Sequence, residues 1–157
     1  MAAPRAIHLY NRQRTVRIDL PWLRRFAPLA LAACEAEGIA PGAPLEWLHE
    51  IEISILSDRA IAGVHRRFMN LPGATDVITF EHGEIVIGAA TASRYAREYG
   101  QPVEHELALY IIHGLLHLNG HDDRADPAAS RMMQTQTALL RRVLQTLDVG
   151  YREATGR

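Results

Sequence analysis

This sequence contains no lysine, only one cysteine and no apolar run long enough to cross a bilayer. Because Cys34 is the only cysteine, no disulfide can form within the chain, and we expect a reducing, cytoplasmic setting with no disulfide-linked partner. The first ten residues lack the apolar core that is typical of a signal peptide. We therefore expect a cytoplasmic protein that has no membrane partner.

An excess of charge of either sign is also missing, since 17 basic residues stand against 18 acidic ones and the formal net charge is −1. All the basic residues are arginines, and six of them fall within the first 25 residues, where Asp19 is the only acid. The planar guanidinium suits phosphate contacts, so this cluster is a candidate RNA contact. The alternative is an ordinary solvated surface. The six are Arg5, Arg12, Arg14, Arg17, Arg24 and Arg25.

The composition is that of an ordinary globular domain, with 48% hydrophobic and 22% charged residues. A chain of 157 residues is within the usual size of one domain. Repeats, low-complexity segments and linker-like stretches are absent from the sequence. We therefore predict that residues 1–157 form a single domain.

Alternating apolar residues and turn signals predict five short strands, two of which form a hairpin across His82-Gly83. Helix signals are equally clear, because Asp19 and Ser57 are typical N-caps and Gly38 and Gly100 are typical of helix ends. Pro28 is expected to kink or interrupt the first helix. Strands are predicted at 7–9, 16–18, 47–56, 75–81 and 84–87. Helices are predicted from Pro21 to about residue 37, from Asp58 to about Arg67, from about Thr91 to Tyr99, from Val103 onward and from Pro127 onward.

The mixture of strands and helices predicts an α+β fold, in which a small mixed β-sheet is surrounded by helices. The helix that starts at Val103 is expected to be buried at the centre, because the run Leu107–Ile112 is apolar on nearly every side. The stripe of apolar residues on the last helix is interpreted as core packing.

His113 and His117 make the buried central helix a candidate metal site, because residues four apart share one face of a helix. Two buried imidazoles are costly without partners, and a shared metal ion satisfies both. Gly120 can end the helix in a left-handed turn. If the helix continued instead, His121 would lie about 12 Å along the axis from His113. The turn allows a third ligand to come from His121, Asp122 or Asp123.

Gly114 follows the first histidine, at the position where metalloproteases of the His-Glu-x-x-His type carry their general base. A protease of that type is therefore disfavoured. Glycine in a helix interior costs about 1 kcal/mol relative to alanine. Its presence suggests that a backbone or a substrate approaches the helix closely at this point.

The segment His113-Gly-Leu-Leu-His117-Leu-Asn-Gly-His121-Asp-Asp123 resembles the signature of the YbeY family of bacterial metal-dependent endoribonucleases, His-Gly-x-Leu-His-Leu-x-Gly-His/Tyr-Asp-His. Upstream, residues 74–80 (ATDVITF) and 83–87 (GEIVI) resemble two strands of the same family. The resemblance extends over about residues 50–145. The chain departs from the pattern at Asp123, where the family has histidine, and at Met69, where the family usually has arginine.

The resemblance implies a zinc-dependent, single-strand-specific endoribonuclease that acts in 16S rRNA maturation and ribosome quality control. It also implies the α+β fold, ribosomal RNA as a partner with ribosomal proteins as further partners, and one Zn²⁺ ion. Alignment with the signature places the ligands at His113, His117 and Asp123. Two histidines and a carboxylate form an established catalytic zinc set with an open fourth position. Such a metal lowers the pKa of bound water and acts as a Lewis acid on a phosphoryl oxygen.

The catalytic residues beyond the metal ligands are unknown at this point. Asp122, His121 and Glu84 are alternative general bases, and Thr75 and Asp76 either take part in catalysis or only hold a turn. The alternative function is a metal-stabilised ribosome-assembly or RNA-binding factor with little cleavage activity of its own. A small-substrate hydrolase ranks third, because the glutamate is missing.

Overall fold

Four strands form one mixed sheet, in the order β1-β2-β4-β3. The computed structural model describes the backbone of residues 3–155 and the side chains of residues 3–148. The strands are β1 (Ala6–Asn11), β2 (Glu50–Leu56), β3 (Val77–Thr79) and β4 (Glu84–Gly88), and the helices are α1 (Leu20–Ala36), α2 (Asp58–Met69), α3 (Ala89–Tyr99), α4 (Val103–Leu118) and α5 (Ala128–Thr155). A short 3-10 turn, Pro44–Glu46, precedes β2. The predicted α+β fold is confirmed.

The sheet separates a large hydrophobic core from a small one. β1 and β4 pair with β2 in parallel, and β3 pairs with β4 antiparallel as the predicted hairpin. Alternate residues of β4 therefore point to opposite faces: Ile85 and Ile87 belong to the large core, whereas Val86 joins the small core under α2. The parallel pairs need crossover connections, which α1 and α2 with their flanking loops supply.

Helix α4 lies at the centre of the large core, as predicted. It packs against α1, α3 and α5 and against strands β3 and β4. Ten of its residues are buried, and these include Leu107, Ile111 and Leu115, which are fully enclosed. Such complete burial fixes the position of α4, and therefore also fixes the backbone that carries His113 and His117.

Several expectations about this fold are corrected by the structure. Residues 16–18 form no strand, because the Gln13 side chain bonds both the N–H and the carbonyl of Val16 and replaces a neighbouring strand. The strand predicted at 47–56 begins only at Glu50, since Trp47 closes the 3-10 turn by donating to the Pro44 carbonyl. Pro28 does not interrupt α1. It lies on the exposed side, where water can hydrate the carbonyl that loses its partner.

The predicted helix caps are confirmed where the structure describes them. The Asp19 carboxylate accepts from the Trp22 N–H, and the Ser57 hydroxyl accepts from the Ala60 N–H.

The strand predicted at 75–81 is shorter than expected, and its ends form turns. Within residues 3–155, none of the helices combines the length and hydropathy that a membrane span requires.

Candidate metal centre

The end of α4 brings together the side chains of His113, His117 and Asp123. The Nε2 atoms of the two histidines lie 3.1 Å apart, and their distances to the Asp123 carboxylate oxygens are 3.4 and 3.5 Å. All three potential ligand atoms lie within 4.8 Å of one another. A zinc ion with ligand distances of about 2.0–2.1 Å and tetrahedral angles separates its ligands by about 3.3–3.4 Å. The three donor atoms therefore have the spacing of a metal site.

The turn after α4 explains how Asp123 reaches the two histidines. Gly120 has a φ of +99°, and the N–H groups of Gly120 and His121 donate to the carbonyls of His117 and Leu116. These two bonds form a Schellman motif, which ends the helix and reverses the chain. Buried Asn119 reinforces the turn, because its side-chain amide donates to the carbonyls of Cys34 and Gly38 at the end of α1. The expected helix break at Gly120 is confirmed.

The second ring nitrogen of each histidine, Nδ1, has a hydrogen-bond partner. His117 Nδ1 lies 3.2 Å from the His121 carbonyl oxygen, and His113 Nδ1 lies 2.8 Å from Gln136 Oε1 on α5. Both partners are acceptors, so each Nδ1 carries a proton and donates it. In the neutral ring the other nitrogen, Nε2, then presents a lone pair. Both lone pairs thus face the same point as the Asp123 carboxylate.

Three electron-rich atoms that converge at these distances repel one another unless a cation lies between them. One shared proton can bridge only some of these contacts, whereas a metal ion satisfies all three. Burial lowers the pKa of His117, and His113 lowers it further, although Asp123 and the His121 carbonyl oppose the shift. The neutral imidazole, which is the form that ligates metals, is therefore favoured at neutral pH. The donor set fits a divalent ion.

The centre is partly exposed to solvent. The side chains of His113 and His117 are 24% and 28% exposed, and that of Asp123 is 42% exposed. Half-buried ligands leave room for a further ligand from solvent or substrate, as catalytic sites require. A purely structural zinc site is closed by four protein ligands.

Replacing Gln136 with leucine is expected to weaken metal binding about 10–100-fold, the usual effect of losing a hydrogen bond to a ligating histidine. The change leaves His113 free to rotate but removes no ligand. Gln134→Leu, at an exposed position on the same helix, is the matched control and should leave affinity unchanged. Competition with a chromophoric chelator measures the metal affinity of each variant. Equal affinities for the two variants would show that the Gln136 contact does not orient His113.

The side chains of the alternative general bases, Asp122, Glu84 and His121, lie outside the cluster. Asp122 accepts hydrogen bonds from the backbone N–H and the side chain of Arg124, which lower the pKa of its carboxyl and weaken it as a base. Glu84 Oε2 lies 3.2 Å from His82 Nε2 at the hairpin. His121 contributes its backbone carbonyl to His117. None of the three side chains joins the three-residue cluster that the described part of the chain forms.

Thr75 and Asp76 hold the turn before β3. The Asp76 carboxylate accepts from the Val77 N–H and from the Thr75 hydroxyl, and the Asp76 carbonyl accepts from Gly88. This geometry favours the turn interpretation. Met69, the position at which the resemblance implies arginine, ends α2 with 52% exposure and carries a neutral thioether.

The N-terminal arginines lie partly in internal contacts. Arg5 pairs with Glu35, Arg12 bonds Ser54 and Glu52, and Arg24 donates to the Leu9 carbonyl. Strand β1, which lies within the first 25 residues, forms the opposite edge of the sheet from β3. The arrangement favours the ordinary-surface interpretation for those three side chains.

Sequence reasoning missed Gln136, because nothing in the pattern of α5 distinguishes it from other polar residues of that helix. It also misjudged Gly114. An added Cβ there would lie 2.8 Å from Ile85 Cγ2 on β4, so the close neighbour is a core side chain and not a backbone or a substrate. Cys34 is fully buried, and burial raises the pKa of its thiol to about 12. This makes it a poor metal ligand or nucleophile at neutral pH.

The fold and the cluster together define a class of small α+β proteins that carry an accessible His–His–carboxylate centre at the end of a buried helix. Within that class the chain belongs to the YbeY family, because the family model Endoribonuclease YbeY matches residues 8–144. The endoribonuclease YbeY of Moorella thermoacetica is 32% identical over 128 residues, which cover 69% of this chain and 78% of that protein. The family suspected from the signature is confirmed.

A second relative, the endoribonuclease YbeY of Myxococcus xanthus, is 38% identical over 104 residues. The match covers 58% of this chain but spans only 35% of the length of that protein. The solution structure of TM1509 from Thermotoga maritima superimposes with a TM-score of 0.61 at 20% identity, and the match covers 94% of this chain and 95% of that one. This structural likeness supports the fold.

Proposed function

We propose that this chain is a zinc-dependent endoribonuclease that cleaves single-stranded RNA, with 16S rRNA maturation and ribosome quality control as its role. The observation that carries the proposal is the convergence of His113, His117 and Asp123 at an accessible point, in a chain of the YbeY family. The fixed His113 and His117 rings and the loop carboxylate hold one ion. The remaining side of the centre faces the substrate.

The residues of the chain have separate tasks in this proposal. His113 and His117 bind the ion through Nε2, while Gln136 and the His121 carbonyl keep the rings oriented. Asp123 adds negative charge that holds a divalent cation more firmly. When bound, the ion supplies Lewis-acid chemistry for phosphodiester hydrolysis. No side chain is assigned as the general base, since Arg124 engages Asp122 and His82 lies against Glu84.

The choice of Asp123 as the third ligand predicts an order among three variants. Asp123→Ala should weaken zinc binding markedly, because it removes one of three ligands. Asp123→His restores the usual family residue and should keep or tighten binding, since imidazole suits zinc. His121→Ala should have little effect, because its contact with His117 uses the backbone. Titration of the metal-free proteins with zinc measures the order. If His121→Ala loses the ion and Asp123→Ala keeps it, the assignment is wrong.

The alternative function is a metal-stabilised ribosome-assembly factor that binds RNA with little cleavage of its own. Met69 favours it, because an exposed neutral side chain replaces the usual family arginine and cannot stabilise phosphate charge. Ribosomal RNA is the proposed partner in both cases, and ribosomal proteins are further proposed partners. The cytoplasmic location stays a prediction.

Cleavage of a single-stranded ribosomal RNA fragment separates the two functions. Protein purified without chelators should cut the fragment, protein stripped with chelator should not, and re-addition of zinc should restore the activity. The same fragment annealed to its complement is the control, and it should remain intact if the activity is single-strand-specific. RNA binding without metal-dependent cleavage would favour the assembly factor.

A further inference from the structure

A cavity of about 420 Å³ lies directly beside the candidate metal centre. His113 and Gln136 form part of its wall, so the pair that orients one metal ligand also borders the cavity. The other sides come from α3, from the first half of α4 and from the turn that contains Asp76. A strand of RNA with its phosphate at the metal centre would pass the mouth of this cavity.

The cavity contains a buried hydroxyl that has no partner within the described part of the fold. Tyr110 is 4% exposed, and its hydroxyl has no hydrogen-bond partner among the residues that the structure describes. Glu106, one turn earlier on α4, is 8% exposed and also lines the cavity. Its carboxyl is near enough to the Tyr110 hydroxyl for each to influence the other's pKa, but the two lack hydrogen-bond geometry. The Tyr110 hydroxyl is thus a buried polar group without a partner, which is costly and points to a ligand.

The charge of the lining restricts the kind of ligand. The lining contains two acidic residues, Asp76 and Glu106, and two histidines, His105 and His113, but no arginine. Burial raises the pKa of Glu106; the nearby Tyr110 hydroxyl opposes this shift and Asp76 adds to it. A phosphate group would be repelled by these acids, whereas a ligand that offers hydrogen-bond donors would satisfy them.

Two tyrosines at the rim provide stacking surfaces. The rings of Tyr95 and Tyr99 on α3 are nearly parallel, with centroids 6.2 Å apart and 9° between their planes. They are 42% and 61% exposed, and both line the cavity. Nucleobases of single strands stack on such exposed aromatic rings.

We propose that this cavity binds a guanine base of the RNA strand, next to the phosphodiester at the metal centre, with Glu106 and Tyr110 as its specificity-determining residues. The Watson–Crick edge of guanine presents two adjacent donors, the N1–H and the 2-amino group, which one carboxylate can accept together. Asp76 accepts further donors, and Tyr99 stacks on the base. This inference rests on the proposed function, because it requires an RNA substrate.

Binding of short fluorescent oligouridines tests the proposal separately from cleavage, because the titrations are made with metal-free protein in excess chelator. The parent chain should bind an oligouridine with one central guanosine about tenfold more tightly than plain oligouridine. Inosine, which lacks the 2-amino group, should recover only part of the gain. Glu106→Gln should abolish the preference for guanosine, whereas Glu98→Gln, the same change at an exposed position of α3, should preserve it.

A rim variant keeps the test independent of the buried position. Tyr99→Ala leaves the core untouched and should lower affinity for the guanosine oligonucleotide several-fold, with a smaller effect on plain oligouridine. Equal binding of the two oligonucleotides by the parent chain, or an unchanged preference in folded Glu106→Gln, would overturn the guanine site and leave the proposed cleavage intact. A guanosine preference without metal-dependent cleavage would support the site and contradict the nuclease.

Discussion

His117→Ala is expected to eliminate both metal binding and RNA cleavage. His117 supplies one of the three converging donor atoms, with Nε2 3.1 Å from His113 Nε2 and 3.5 Å from an Asp123 oxygen. Its loss leaves two ligands from the protein, too few to retain a divalent ion against a chelator. We expect the loss of affinity to exceed by far the roughly 10–100-fold that an outer hydrogen bond contributes. Elemental analysis and the initial rate of RNA cleavage measure the two effects.

An exposed histidine outside the cluster supplies the control for this experiment. His49 precedes β2, and its change to alanine should preserve both metal content and activity. His117→Ala should also remain folded, because its side chain is 28% exposed and the surrounding α4 residues supply the core. A His117→Ala protein that still contains one ion per chain would contradict the assigned site. One that loses the ion but cleaves RNA at the parent rate would contradict the metal-dependent mechanism.

Gly114→Val is expected to lower the free energy of unfolding by about 2 kcal/mol or more, as overpacking of a core does. A Cβ at this position would lie 2.8 Å from Ile85 Cγ2 and 2.9 Å from Ile85 Cδ1. Ile85 is fully buried and β-branched, so it cannot move aside without disturbing β4. The two extra methyl groups of valine must therefore separate α4 from the sheet. Because α4 carries both histidines, metal affinity should fall as well.

Gly63 gives a matched comparison for this substitution. It also lies inside a helix, α2, but no neighbour approaches within 4 Å of its added Cβ. Gly63→Val should therefore be close to neutral, since valine exceeds glycine slightly in helix propensity. Urea unfolding of the two variants isolates the contact with Ile85. If Gly114→Val costs no more stability than Gly63→Val, the close packing of α4 against β4 is not a determinant of stability.

The features that the sequence could predict depend on local patterns. The two histidines on one face, the left-handed turn at Gly120 and the hairpin at His82-Gly83 are each determined by residues within a few positions of one another. The apolar run before His113 likewise predicted a buried helix, since few polar groups are available to face solvent. For these reasons the fold class and the two histidines of the candidate centre were accessible from local patterns. Asp123 was chosen over His121 and Asp122 only by the resemblance to the family signature.

The features that escaped prediction depend on tertiary contacts. Gln136 reaches His113 from a helix 23 residues further along, and no local pattern marks it. Gly114 is needed because Ile85 of β4 packs against it. Ile85 lies in a strand that pairs with β2, and nothing near Gly114 in the sequence indicates this contact. The Gln13 side chain similarly replaced the strand predicted at 16–18 by bonding the Val16 backbone. Each of these depends on which elements become neighbours, and periodicity alone does not encode this information.

The position of the ion tests the proposed metal centre most directly. We expect a crystal of protein purified without chelators and supplied with zinc to show one anomalous peak at the zinc absorption edge. That peak should lie within about 2.0–2.2 Å of His113 Nε2, His117 Nε2 and an Asp123 carboxylate oxygen. A cluster that stays free of metal under these conditions, or a zinc ion bound by His121 in place of Asp123, would contradict it.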